Sequence, residues 1–376
     1  MFALSPEGEM LRDSLSELAR NEFAEDAFTW AGDVPWANVE LLADRGYLGV
    51  NIDEAYGGGG MSEFEAMLTI EAVGRVCPDT AEFLYNQQLV APRAIEMHGS
   101  EAVKERYLPG VTAGETVIAI GISEPGAGSD VGAMNTRVES GGGELVANGE
   151  KTWVSNVPHA DAAVVWAKFD DGLGAFVADM DADGIGIQQH YTNMAGHTQT
   201  HFYIEDLPVP EENVLARGPE GFKRVLRALN WERLGSSTLA NAIAGCAVEH
   251  ALEYAGQREQ FGQPIAEFQG IGWKFADMVT ELEASRALAY RAAIEARESG
   301  EPPDRLGTSL AKLYSGEMVE RVVSEALQVH GANGYQQGHP LEYLYRLARA
   351  RRLAAGTDEI QKNGIADALR EGGLPR

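Results

Sequence analysis

The period of the hydrophobic pattern changes twice along this chain, and the two changes limit the folds it can adopt. Up to about residue 115 apolar residues recur at helical spacing. Met10, Leu11, Leu15 and Leu18 fall on one face of a first helix, and Val39, Leu41 and Leu42 belong to a later one. Further helices are predicted over residues 63–76 and 88–98. From about Thr116 to Arg217 the pattern breaks into short β-rich runs at 117–122, 144–146, 162–167, 174–177 and 201–204, separated by Gly, Asp and Asn turns. From Pro219 onward helical stripes return, one through Ile271, Phe275, Met278, Val279 and Leu282, another through Leu310, Leu313, Tyr314, Met318 and Val322. Breaks at 300–304 and 334–340 interrupt this part, and four long helices are predicted at 222–255, 268–297, 305–329 and 341–369, the last notched at Gly356. The expected architecture is an α+β multidomain protein. An N-terminal all-α domain (residues 1–115) is followed by a small middle β-barrel or sandwich domain (116–217) and a C-terminal four-helix bundle (218–376).

Charge and cysteine usage remove several functional classes. Acidic residues outnumber basic ones 57 to 30, a net charge of -27, so the chain lacks the basic footprint that nucleic-acid phosphates require. The carboxylates are spread over nearly every polar face, a pattern suited to concentrated salt, where screening suppresses their self-repulsion. No apolar run approaches the ~18 residues that would span a bilayer, and the start, MFALSPEGEM, has neither a basic nor a hydrophobic leader segment, so a cytoplasmic location is expected. Cys77 and Cys246 support neither a disulfide framework nor a zinc site. His197 and His201 lie too far apart on a strand to share a metal, and the glycines at 57–60, with no Lys-Ser or Lys-Thr after them, read as a flexible connection rather than a phosphate loop.

Residues 123–130, SEPGAGSD, follow a strand-like run and form a loop suited to approaching a ligand closely. Gly126 and Gly128 leave no Cβ between backbone and ligand and permit positive φ, while Ser123 and Ser129 place hydroxyls at the rim. A dinucleotide fingerprint would require a helix directly after the glycines, and residues 135–139 read as strand instead. This loop, the stretch NGEKTWVSN at 148–156, REQFG at 258–262, QVHGANG at 328–334 and the pair Gly356-Thr357 together resemble, in order, the motifs of the acyl-CoA dehydrogenase family.

The resemblance implies FAD-dependent α,β-dehydrogenation of an acyl-CoA thioester to a trans-2-enoyl-CoA, by a homotetramer that passes electrons to an electron-transfer flavoprotein. A flavin is needed because no side chain accepts hydride, and the protein adds a carboxylate base and donors to the thioester oxygen. The family usually carries its glutamate just before the Gly-Thr pair, where this chain has Ala355. Members resembling isovaleryl-CoA and long-chain acyl-CoA dehydrogenases carry it on the first long helix of the bundle, before an arginine, and Glu232-Arg233 match that place. Glu232 is therefore the expected base, with the backbone N–H of Ala355 left to serve the thioester oxygen. By the same resemblance, Ile122, Ser123, Gly128, Ser129, Trp153, Val154 and Ser155 hold the isoalloxazine ring. Arg258, Gln260, Phe261, Gln328 and Gly331 reach the flavin of a neighbouring subunit, Thr357 and Glu359 approach its diphosphate, and Ser129, Arg233 and Gly356 meet the coenzyme A thioester. A non-catalytic or heteromeric subunit, which Ala355 would also suit, and a flavin monooxygenase or oxidase are the other readings of this scaffold.

Overall fold

The structure, a computed structural model, describes residues 4–374. Helices α1 (Pro6–Leu18), α2 (Trp36–Asp44), α3 (Glu63–Gly74), α4 (Pro78–Leu89), α5 (Ala91–His98) and α6 (Glu101–Thr112) come first. Strands β1 (Ile118–Gly121), β2 (Arg137–Gly141), β3 (Glu144–Ser155), β4 (Ala162–Phe169), β5 (Gly172–Asp179), β6 (Ile185–Thr192), β7 (Thr198–Val209) and β8 (Val214–Ala216) follow. Then come α7 (Gly221–Gln257), the hairpin β9 (Glu259–Gln260) and β10 (Gln263–Pro264), α8 (Gln269–Ser299), α9 (Arg305–His330), α10 (Pro340–Ala350) and α11 (Asp358–Gly372). The helix, sheet, helix succession expected from the hydrophobic period is the one observed. Two compact units result, one of residues 4–30, Met67–Glu82 and 233–374, the other of Ala31–Ala66 and Phe83–Glu232.

The second unit holds an eight-stranded sheet in the order β6-β7-β3-β2-β4-β5-β8, with β1 added in parallel to β4. Strand β4 reads AAVVWAKF and is buried on both faces, and its two-residue period sorts its side chains into two cores. Ala162, Val164 and Trp166 pack with Ile95, Tyr107, Leu108 and Val111 of α5 and α6. Ala163, Val165, Ala167 and Phe169 pack with Val138, Ala147, Phe202 and Ile204 across the sheet. Strand β6, missing from the sequence reading, carries four successive exposed side chains and owes its conformation to backbone pairing with β7. The glycines at 57–60 are a packed corner and not a flexible connection. Gly59, Gly60 and Met61 donate to the carbonyls of Gly49, Ile52 and Val50, and a Cβ on Gly58 would stand 2.1 Å from the carbonyl oxygen of Ile52.

In the first unit, α8 and α9 are joined by Gly300, left-handed at φ 69, and by Asp304, whose carboxylate caps α9 by accepting from the N–H groups of Leu306 (2.8 Å) and Gly307 (2.9 Å). The predicted fourth helix of the bundle is two helices, α10 and α11, because Ala355 and Gly356 both take positive φ between them. Three stripe assignments need correcting. Met10 is exposed, since the buried row of α1 runs through Leu11, Leu15 and Leu18. Val279 is exposed, one position past the buried Met278. The buried face of α9 is formed by Ala311, Ser315, Met318, Val319 and Val322, and Leu310, Leu313 and Tyr314 are only partly covered, because small residues let this helix pack closely.

Burial lowers the pKa of four histidines from 6.5: His98, to about 4, and His250, His330 and His339. Each is neutral in the folded chain at a pH where it would already be protonated in the unfolded one. Stability should therefore fall as pH drops through 6.5. In molar salt, which screens carboxylate repulsion, the thermal midpoint should decline from pH 7 to pH 5. A flat profile would contradict the assignment, and His98→Phe should reduce the slope.

Candidate active site

The SEPGAGSD loop is anchored by one buried carboxylate within the second unit. Glu124 accepts from the ammonium of Lys151 (2.8 Å), the N–H of Thr136 (2.9 Å) and the N–H of Asn135. Lys151, fully buried on β3, also donates to the carbonyl of Ile122 (3.1 Å), and the N–H of Thr152 donates to that of Ser123 (2.9 Å). The two neighbouring motifs are thus joined by a buried ion pair. Burial alone would raise the Glu124 carboxyl, but Asn135, Lys151 and Thr136 outweigh it and hold the pKa below the ordinary 4.5. Burial pulls Lys151 below 10.5 against the attraction of Glu124. Neither residue was singled out from the sequence. Both letters lie inside the motifs, and only the fold shows that they face each other.

Just beyond this pair, β3 slips against β7: Lys151 faces Phe202, but Val154 faces Thr200. The slip places Trp153 at φ 60, a conformation uncommon for a bulky residue and held here by the bulge. Its ring is 53% exposed, lies 4.8 Å from that of Tyr191, and presents a flat apolar surface. Ser155 is exposed beyond it. The side chain of Val154 turns the other way, into the sheet core, and leaves only its backbone for a ligand. Gly126 and Gly128 do not adopt positive φ, yet nothing lies within 4 Å of where a Cβ on either would stand, so the loop faces open space. Ile122 and Ser123 are half-buried at its base and Ser129 is exposed at its rim. An aromatic plate, an open glycine loop and hydroxyl donors suit the flat ring and phosphates of FAD.

The opening turns of α7 bring Val225, Ala228, Leu229 and Glu232 to one face. They line a pocket with Val90, which precedes α5, Ala94 and His98 of α5, Ile120 of β1, Val164 and Trp166 of β4, Ala175 of β5 and Leu215 of β8. Glu232, 9% exposed, is the one carboxylate among the described lining residues, and none of them is Lys or Arg. Nε2 of His98 lies 2.9 Å from the carbonyl oxygen of Arg224, so that nitrogen donates. Burial, with Arg224, Arg93 and Arg227 adding to it, keeps this imidazole neutral. The pocket is therefore an apolar slot with one carboxylate in its wall.

The remaining expected residues lie in the first unit. Arg233 is buried and its Nε donates to the carbonyl of Ala355 (3.4 Å). Ala355 (φ 57) and Gly356 (φ 88) form a left-handed corner. The hydroxyl of Thr357 caps α11 by accepting from the N–H of Ile360 (3.4 Å), while Glu359 is exposed in the first turn, held below 4.5 by its own N–H and by Thr357. Arg258, Gln260 and Phe261 sit on the β9–β10 hairpin, whose turn residues Phe261 and Gly262 both have positive φ, leaving Phe261 96% exposed. Gln328 and Gly331 end α9, beside the stem of that hairpin: Tyr254 stacks on His330 at 4.2 Å and accepts from Nδ2 of Asn333 (2.9 Å). Among the described residues no cluster of His, Cys, Asp and Glu is arranged to hold a metal, and no helix is long and apolar enough to cross a membrane.

Residues 5–115, 119–207 and 219–370 match the N-terminal, middle and C-terminal domains of acyl-CoA dehydrogenases. The chain is 34% identical to the 3-sulfinopropanoyl-CoA desulfinase of Advenella mimigardefordensis, covering 100% of this chain and 96% of that one. It is also 34% identical to the acryloyl-CoA reductase (NADH) of Anaerotignum propionicum, covering 97% and 95%. Among solved structures, the glutaryl-coenzyme A dehydrogenase complex with glutaryl-CoA superposes with a TM-score of 0.93 at 31% identity, over 100% of this chain and 97% of the other.

Proposed function

This chain belongs to the acyl-CoA dehydrogenase family, FAD-dependent oxidoreductases acting on the CH–CH bond of acyl-CoA, and from that premise we propose that it converts an acyl-CoA with an uncharged acyl chain to its trans-2-enoyl-CoA, with Glu232 as base. FAD, when bound, supplies the hydride acceptor. Glu232 removes the α proton, the N–H of Ala355 donates to the thioester oxygen, and the apolar slot keeps water from the reacting carbons. The observation that supports this reading is a buried carboxylate in the wall of an otherwise uncharged pocket.

Ile122, Ser123, Gly128, Ser129, Trp153 and Ser155, with the backbone of Val154, would hold the isoalloxazine. Thr357 and Glu359 would approach the diphosphate through the start of α11, and Ser129, Arg233 and Gly356 the coenzyme A portion. Arg258, Gln260, Phe261, Gln328 and Gly331 would serve the flavin of a neighbouring subunit in a homotetramer. The exposure of Phe261, Trp273 and Tyr335 in the isolated chain supports such an assembly. An electron-transfer flavoprotein is the proposed acceptor.

The slot also sets a substrate class. A glutaryl chain carries a terminal carboxylate, for which the lining residues offer no cation: His98 is neutral, Arg93 is committed to Glu63 and Glu96, and Arg224 and Arg227 lie at exposed positions of α7. Burying that unpaired charge costs several kcal/mol, which corresponds to a loss of at least ~10²-fold. Anaerobic bleaching of the flavin by a panel of acyl-CoA esters is the test. Uncharged straight or branched chains should reduce it, with kcat/KM for glutaryl-CoA lower by that factor. Equal reduction by glutaryl-CoA, or none by any ester, would overturn the proposal.

A further inference from the structure

Gln361 is 1% exposed, one turn into α11, and reaches back to the corner that precedes its own helix. Its Nε2 donates to the carbonyl oxygens of both Ala355 and Gly356, each at 3.1 Å. These two residues are consecutive and left-handed, and a Cβ on Gly356 would stand 2.9 Å from that nitrogen. For Ala355, which carries a Cβ, the left-handed conformation is strained, so it persists only where the surroundings impose it. The amide of Gln361 bonds both carbonyls of this corner, with Arg233 adding a longer bond to that of Ala355. With both carbonyls drawn inward, the N–H groups of Ala355 and Gly356 make no hydrogen bond among the described residues.

We infer that Gln361 is a positioning residue: by holding the carbonyls of Ala355 and Gly356 it aims the Ala355 N–H at the thioester oxygen. The inference rests on the proposed role of that N–H. Gln361 acts through the backbone and does not touch the substrate. Preorganised donors of this kind stabilise the enolate oxygen only when their direction is fixed before the substrate arrives.

The test compares two ligands on the FAD-loaded protein by calorimetry, an acyl-CoA thioester and the matching S-alkyl-CoA thioether, which lacks the carbonyl. The wild-type protein should prefer the thioester. Gln361→Met keeps the volume and removes both donors. It should reduce that preference ~10-fold or more and lower kcat comparably, while thioether affinity stays within twofold. A wild-type protein without the preference would refute the role of Ala355 itself. A preference kept intact in Gln361→Met, or equal weakening of both ligands, would refute the positioning role alone. Should that variant not fold, Gln361→Asn retains a buried amide one methylene too short to reach either carbonyl, and the same ratio decides.

Discussion

Glu232→Gln should slow flavin reduction by a good acyl-CoA substrate ~10²–10⁴-fold while leaving the affinity for that thioester within a few-fold of wild type. The substitution preserves shape and removes only the ability to take a proton. Because Glu232 lines the slot beside apolar side chains, its amide replacement introduces no unpaired charge, and far-ultraviolet circular dichroism should be unchanged. Rapid-mixing absorbance at the flavin band, without oxygen, measures the step directly. Activity within tenfold of wild type would show that the base is elsewhere, or that this chain is the silent subunit which Ala355 alone would suggest.

The second large effect is on stability. Lys151→Met should lower the thermal midpoint of the sheet-containing unit by roughly 10 °C, because removing one partner of a buried ion pair strands the other at a cost of about 3–5 kcal/mol. Glu124 would then be a carboxylate with 2% side-chain exposure and no cation. Replacing both residues, Glu124→Gln with Lys151→Met, should be milder than the single change, since no lone charge remains buried. The single variant should also lose FAD on gel filtration, as the loop at 123–130 and β3 are no longer tied. Differential scanning calorimetry and flavin content report the two effects separately. A midpoint within 2 °C of wild type would show that the pair contributes little.

The helical and β-rich regions were legible because period carries that information locally, and the five motifs were legible because each is contiguous. Glu232 stood out as a candidate base only by contrast with Ala355. Its burial among Val90, Ala94, Ile120 and Trp166 was not legible, since these residues come from α5 and its N-cap, from β1 and from β4. Pairings across sequence were invisible for the same reason. Glu124 and Lys151 stand 27 residues apart, and nothing local distinguishes Lys151 from a solvated lysine. Gln361 reads as an ordinary helix residue until its amide is seen to reach back to the carbonyls at 355 and 356. Val154 misled because one slipped register between β3 and β7 decides which side chain of the motif faces outward, and a bulge leaves no mark in hydrophobic alternation.

The central claim, that the Glu232 carboxylate takes the α proton, can be isolated from hydride transfer. A 3-thia-acyl-CoA has sulfur in place of the β carbon, so it can lose its α proton but has no hydride to give. Incubated with the FAD-loaded protein in D₂O and followed by proton NMR, its α position should exchange with solvent in the wild type and ~10²-fold more slowly or not at all in Glu232→Gln. Exchange at the wild-type rate in that variant would contradict the account.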